Sequence, residues 1–151
     1  MLFRSFRIDG KVFSFTVSTG RANSLGIGGS GYGDYGYVRY HIDMETGRVL
    51  TLGDLFVSPE AFSDFLTAKM VGEFGTHHDA GRRIHSDAFP AALREAVVRP
   101  EPEGIGWNVS YHSLTLWMPR AMFPEGSSQL MEVLYYDEIQ DLLSDGYTQV
   151  W

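Results

Sequence analysis

Residues 43–56 read DMETGRVLTLGDLF, and the positions in this stretch have separable structural roles. Gly47 tolerates the backbone angles of a tight turn that most other residues avoid. Leu50 and Leu52 would supply the buried face of a strand, and the apolar pair at positions 55–56 can anchor the chain in a core. The stretch therefore predicts a turn, a buried strand and a core anchor in succession, just before a helix.

Upstream of this stretch, alternating apolar and polar residues predict three strands. Leu2 to Ile8 and Val12 to Val17 flank Asp9-Gly10, a pair that favours the tight turn of a hairpin. Tyr37 to Asp43 alternates again, with its apolar residues on one face. The chain is therefore expected to begin with a hairpin and a third strand.

Downstream, apolar residues at helical spacing predict two central helices. Ser58 can cap the first helix, which we place from Pro59 to Phe74 because Phe62 and Leu66 begin an apolar stripe there. The polar stretch THHDAGRRIHSD then forms a connection to a shorter helix near Ala88 to Val98, which the following prolines stop.

Three further strands and a short helix complete the chain. The strands are predicted at Gly106 to His112, Leu114 to Met118 and Gln129 to Leu134, and the helix at Asp137 to Leu143 with Asp137 as its cap. The order predicts an α+β fold: an antiparallel or mixed sheet with an N-terminal hairpin, two central helices packed on it, and a C-terminal strand-helix segment.

The composition indicates a single domain over residues 1–151. The chain has 151 residues, of which 44% are hydrophobic and 14% aromatic, which is enough for one core. Its formal charge of −7 and its lack of a basic run oppose contact with a phosphate backbone, so no nucleic acid partner is expected. Because the chain has no cysteine, disulfides, a thiolate nucleophile and Cys-bound zinc are excluded.

Membrane insertion is not expected from the chain as it stands. No apolar run approaches the roughly 18 to 20 residues that cross a bilayer, and residues 1–10 lack the apolar core of a signal peptide. The predicted localisation is extracytoplasmic, in the periplasm or at the cell surface, if a signal or an anchor has been trimmed, and cytoplasmic otherwise. The sequence leaves the oligomeric state open.

The segment Ile27 to Tyr37, IGGSGYGDYGY, is the first candidate site. A phosphate-binding loop leads into a helix, whereas these glycines lead into a strand and Asp34 adds a negative charge. Tyrosines supply large contacts at low entropic cost, and glycines let a loop adapt to a partner. The segment is therefore either a plain connection or a recognition surface formed by Tyr32, Tyr35 and Tyr37.

The second candidate site is the loop between Pro119 and Pro124. It contains Arg120, Met122 and Phe123, and prolines at both ends restrict its shape. An apolar pair in such a loop can anchor a partner or plug the core of the protein itself. Both interpretations are kept at this point.

Candidate catalytic or metal-binding residues are few. His77, His78 and His85 are the densest set of potential ligands, but no His-x-x-x-His spacing on a helix is present, so zinc binding would require a folded loop. A solvated polar loop is the simpler interpretation, and neither a metal, another cofactor nor a catalytic residue is predicted.

The chain also resembles a known family over most of its length. Residues 43–56 are similar to the signature D-x-x-T-G-x-x-L-T-L-x-D-L-F of the C-terminal domain of RsiV-type anti-sigma factors, a bacterial domain of unknown function that also occurs beside peptidoglycan deacetylase domains. The aromatic strands near Trp107 and Trp117, the spacing of the two prolines and the run EVLYYDEI at residues 132–139 resemble the later parts of that domain. The resemblance implies an extracytoplasmic sensor of the cell envelope that binds lysozyme.

Two functions from different classes follow. The resemblance and the lack of a catalytic set favour a noncatalytic binding or sensor domain that recognises a lysozyme-like muramidase, or a cell-wall component, through the two loops. Lysozymes of the c type are strongly basic, so they would be steered towards an acidic chain. The alternative is a cell-wall-directed hydrolase or metal-dependent enzyme with His77, His78 and His85 at its centre.

Overall fold

The structure, a computed structural model, describes residues 2–8, 11–20, 35–110, 112–124 and 129–147, with the backbone alone for residues 2–8, 18–20 and 35–37. Its contacts divide the chain into two compact units, residues 1–49 and residues 50–151. The boundary falls inside the stretch 43–56. The single domain over residues 1–151 stays a prediction.

The first unit is an antiparallel sheet in the order β1-β2-β3, formed by Leu2–Ile8, Val12–Gly20 and Tyr35–Asp43. The predicted hairpin and third strand are confirmed, while the hairpin turn at residues 9–10 lies outside the described residues. Phe15 and Tyr40 stand opposite each other on β2 and β3, and their rings stack at 5.2 Å between centroids. Such cross-strand aromatic pairs help to fix the register of a sheet.

The turn after β3 forms at the predicted glycine. Gly47 has φ of +71°, in the left-handed region that favours glycine. The Asp43 carboxylate accepts hydrogen bonds from the backbone N–H of Glu45 at 2.8 Å and of Thr46 at 3.0 Å. These backbone bonds, that of Thr46 first, lower the pKa of Asp43.

The second unit begins with a 3₁₀ turn, Leu52–Leu55, where a buried strand was predicted. The side chains are buried as expected, with Leu50 2% and Leu52 0% exposed, but the strand is wrong. The Asp54 carboxylate accepts hydrogen bonds from the backbone N–H of Thr51 at 2.7 Å and from its hydroxyl at 2.9 Å. These local hydrogen bonds favour a turn at this position over an extended strand.

Three helices follow: α1 at Pro59–Glu73, α2 at Asp79–Ile84 and α3 at Phe89–Val97. The two predicted helices are confirmed, and the Ser58 hydroxyl accepts a hydrogen bond from the Ala61 N–H at 3.1 Å, as a cap should. The prediction of a polar connection between these two helices was wrong in part, because the connection contains α2. Among the described residues, no helix combines the length and apolar character needed to span a bilayer.

A second antiparallel sheet, in the order β4-β5-β6, closes the unit with Gly106–Val109, Ser113–Trp117 and Met131–Tyr135, followed by α4 at Tyr136–Ile139. The predicted strands are found within a few residues, although β4 ends before His112. The prediction of Asp137 as helix cap is wrong. Tyr135 holds that position, and its backbone N–H donates to the Glu138 carboxylate at 2.8 Å.

The core of the second unit joins its helices to its sheet. Phe62, Leu66 and Met70 of α1 are 0% exposed, as are Leu114 and Leu134 of the sheet. Burial of this kind is the main source of stability in a small domain. The α+β class is confirmed, with the strands divided between two antiparallel sheets.

Candidate partner-binding groove

An open groove of about 320 Å³ lies in the second unit, beside α3. One wall comes from α3 and the segments that flank it, and the other from the 3₁₀ turn Arg120–Met122 and the residue before it. We call this feature the α3 groove. It is lined by Arg83, Ser86, Ala88, Phe89, Ala92, Glu95, Ala96, Arg99, Glu103, Pro119, Ala121 and Met122.

The α3 wall presents small side chains. Ala88, Ala92 and Ala96 recur every four residues and therefore lie along one side of the helix. The adjacent stripe, Leu93 and Val97, is 0% exposed and fixes α3 on the core. A row of alanines leaves room for the backbone of another molecule to approach closely.

The opposite wall belongs to the loop between Pro119 and Pro124. Phe123 is 7% exposed, and its ring lies 6.3 Å from that of Phe89 at an angle of 57°. Phe123 thus packs in the core, whereas Met122 is partly exposed and lines the groove. The burial of Phe123 fits the interpretation that it plugs the core, while a binding role for Met122 stays a prediction.

Charged side chains frame the groove in balanced number. Arg83 and Arg99 contribute two positive charges, and Glu95 and Glu103 two negative ones. Arg99 forms an ion pair with Glu95 along α3, and both side chains are about half exposed. An occupant would therefore be selected by shape and apolar contact more than by net charge.

The other residues predicted for partner binding are placed as follows. Pro119 is buried, and Arg120 and Pro124 are exposed at the two ends of the loop. Tyr35 and Tyr37 lie in β3, where the backbone alone is described, and Tyr32 lies outside the described residues. The binding role of all these residues stays a prediction.

The three histidines of the alternative hypothesis flank α2. His78 precedes the helix and His85 follows it, with its Nε2 2.7 Å from the Phe74 carbonyl oxygen. In the part of the chain that the structure describes, no group of three or more His, Cys, Asp or Glu side chains could hold a metal ion. His77, His78 and His85 are therefore not brought together there as a ligand set.

A cluster of charged side chains, which sequence reasoning missed, joins α1, β6 and α4. Lys69 Nζ lies 2.7 Å from Glu73 Oε1 and 2.9 Å from Glu138 Oε1. Glu132, on the core-facing side of β6, is hydrogen-bonded to Glu73 and only 7% exposed. We call Lys69, Glu73, Glu132 and Glu138 the carboxyl cluster.

The surroundings of Glu132 change its acidity. Burial raises its pKa to about 7, the neighbouring Glu73 carboxylate acts in the same direction, and Lys69 opposes them. The Lys69 ammonium, held by two carboxylates, has a raised pKa, and bonds from the Tyr135 N–H and Lys69 lower that of Glu138.

The sequence carries a weak signal for this cluster. Lys69 and Glu73 stand at i and i+4 on α1, the spacing of a helical ion pair. In β6, however, Met131 is 53% and Tyr135 58% exposed while Glu132 is buried. The buried face of the strand thus carries Glu132 beside the apolar Leu134, which is 0% exposed, and only the folded structure reveals that the glutamate is inside. Glu138 also lines a second pocket, of about 510 Å³, with His112 and residues 135–137.

The fold and these surfaces define an α+β domain with an open groove along α3 and a cluster of charged side chains that joins α1, β6 and α4. Its fold is similar to that of a member of the DUF3298 family from Bacteroides fragilis NCTC 9343, with a TM-score of 0.53 and 14% identity over 96% of this chain and 53% of that one. The chain therefore spans about half the length of that protein. A DUF3298 family protein from Pseudomonas aeruginosa PAO1 matches 95% of this chain and 61% of its own at 12% identity, with a TM-score of 0.45.

No family model matches the sequence, and no curated protein is significantly similar to it. The likeness to the Bacteroides fragilis protein concerns the fold.

Proposed function

We propose that this chain is a noncatalytic protein-binding domain and that the α3 groove is part of its binding surface. The observation that carries this proposal is that the loop between Pro119 and Pro124, singled out by the sequence, forms a wall of the groove with Met122 partly exposed above a row of alanines. Met side chains adapt to irregular partner surfaces, and small residues permit close approach.

The proposed partner is a lysozyme-like muramidase of the basic c type, which the domain would bind outside the cytoplasm. The resemblance of residues 43–56 to RsiV-type anti-sigma factors supports this choice. So does the formal charge of −7, which would speed the encounter with a basic protein. The partner thus rests on resemblance and charge, and the groove supplies the place of contact.

The first experiment measures binding of the purified domain to c-type, g-type and bacterial muramidases, with cell-wall lysis by each enzyme followed in parallel. We expect binding to the c-type enzyme that persists at raised salt and blocks lysis. Absence of binding across the panel would refute the muramidase partner and redirect the search to other proteins and to cell-wall fragments.

A matched pair of variants locates the contact. Ala92 lines the groove, whereas Ala91, its neighbour on α3, is exposed and does not. Ala92→Arg fills the groove with a long charged side chain and should weaken binding at least about tenfold, which is ~1.4 kcal/mol. Ala91→Arg adds the same charge to the same helix and should leave affinity within about twofold.

Two further variants separate the candidate surfaces. Met122→Ala should weaken binding through the groove, and the double variant Tyr32→Ala/Tyr35→Ala tests the glycine-rich segment. Equal affinity of Ala92→Arg, Met122→Ala and the parent chain for a bound muramidase would place the site elsewhere. Loss of binding in the tyrosine variant alone would assign it to that segment.

A further inference from the structure

The carboxyl cluster holds more negative than positive charge at a buried junction. Lys69 and Glu73 come from the C-terminal half of α1, Glu132 from β6 and Glu138 from α4. These are the charged groups that the structure places around Glu132, so three carboxyl groups share one ammonium. With all four groups ionised, three carboxylates and one ammonium would give the cluster a net charge of −2 at the edge of the core.

The contact between Glu132 and Glu73 requires a proton. Two carboxylates repel each other, whereas a carboxylic acid donates a hydrogen bond to a carboxylate. Glu73 already accepts a charge-assisted hydrogen bond from the Lys69 ammonium through Oε1 at 2.7 Å. The proton therefore resides on Glu132, the member with 7% exposure, where ionisation costs the most solvation.

We infer that the carboxyl cluster is a proton-linked clamp that fastens the last turns of α1 to β6. With the shared proton, Glu132 bonds Glu73 and the helix end is held against the strand. When the proton is lost, two carboxylates face each other across the junction. The last turns of α1, from Lys69 to Phe74, then open more often. The clamp is independent of the proposed binding function.

The high pKa that burial and Glu73 give to Glu132 would set the working range of this clamp near neutral pH. A direct test is a pH titration of the wild-type protein with ¹³C-labelled glutamate side chains. We expect one carboxyl resonance, assigned to Glu132, to titrate near pH 7. Titration of every glutamate between about pH 4 and 5, the ordinary range, would overturn the proposal.

Hydrogen exchange measures the consequence for α1. The Phe74 N–H donates to the Met70 carbonyl at 2.9 Å and so reports on the last turn of the helix. After correction for the intrinsic pH dependence, we expect its opening to increase about tenfold between pH 6 and pH 8 in the wild type. The opening should be independent of pH in Glu132→Gln, which keeps a neutral hydrogen-bonding side chain.

The control is Glu45→Gln, which neutralises an exposed carboxylate in the turn after β3 and should retain the wild-type response. The same pH response in Glu132→Gln as in the wild type would refute the clamp. If Glu132→Gln does not fold, Glu73→Gln replaces it, and the wild-type titration remains decisive by itself.

Discussion

Two glycines near α1 and α2 have opposite surroundings, which makes them a sharp test of close packing at single residues. A Cβ at Gly81 would lie 1.7 Å from the carbonyl oxygen of Gly75, whereas one at Gly72 would meet nothing within 4 Å. Gly81→Ala should therefore destabilise the protein by about 2 kcal/mol or more, because backbone has to move. Gly72→Ala, in the exposed last turn of α1, should stabilise it by about 0.5 kcal/mol through helix propensity.

Urea unfolding of the two variants measures both effects. Each change adds one methyl group to a helix. If both variants lost stability, or both gained it, the close approach of α2 to Gly75 would be contradicted.

The buried carboxyl group of Glu132 should leave a mark on stability as a function of pH. A carboxyl whose pKa is higher in the folded state holds its proton more tightly there, so its contribution is largest below the unfolded pKa and is lost as pH rises. For Glu132 this window runs from the ordinary 4.5 to about 7. A pKa raised to about 7 corresponds to about 3 kcal/mol as an upper bound.

Comparison with Glu132→Gln isolates this effect from other titrations. The free energy of unfolding of the variant should rise relative to that of the wild type between pH 5 and pH 8, by up to about 3 kcal/mol. Denaturant unfolding at several pH values provides the measurement. A constant difference between the two proteins would show that Glu132 titrates alike in the folded and unfolded states.

At the scale of elements, α1 depends on a cap that the sequence predicted. The Ser58 hydroxyl accepts a hydrogen bond from the Ala61 N–H, one of the donors that have no partner within the helix at its start. Ser58→Ala should cost about 1 kcal/mol, and Ser58→Asp, which keeps an acceptor and adds a favourable charge at the helix start, should cost little. Thermal unfolding of both variants would contradict the role of the cap if they lost equal stability.

Elements with a complete local signal were predictable, and those set by contacts were not. The alternation of β2 and the apolar stripe and cap of α1 are present in consecutive residues. In contrast, α2 is polar and lies close to Gly75 through a glycine, and the turn Leu52–Leu55 depends on the side chain of Asp54. Local patterns describe which faces are apolar, but not which backbone segments touch.

Likewise, only part of the candidate site could be predicted from the sequence. The loop between Pro119 and Pro124 was found from its prolines and its Met-Phe pair, but its facing wall on α3 is recruited from about 30 residues away by folding. The carboxyl cluster unites residues 69 to 138, and only Lys69 and Glu73 are close enough in sequence to be paired by inspection. Long-range clusters of this kind require the tertiary structure.

At the scale of the whole molecule, the excess of acidic residues gives a prediction about rates. The formal charge of −7 is spread over the chain, whereas the charges lining the α3 groove balance, so electrostatics should act on approach and not on the final contact. For a basic muramidase, the association rate should fall about tenfold or more between low salt and 0.5 M salt, with a dissociation rate that changes little. Surface plasmon resonance at several salt concentrations separates the two rates. A salt effect confined to dissociation would mean that charged pairs hold the complex together, and would move the proposed contact from the neutral groove to an acidic part of the surface.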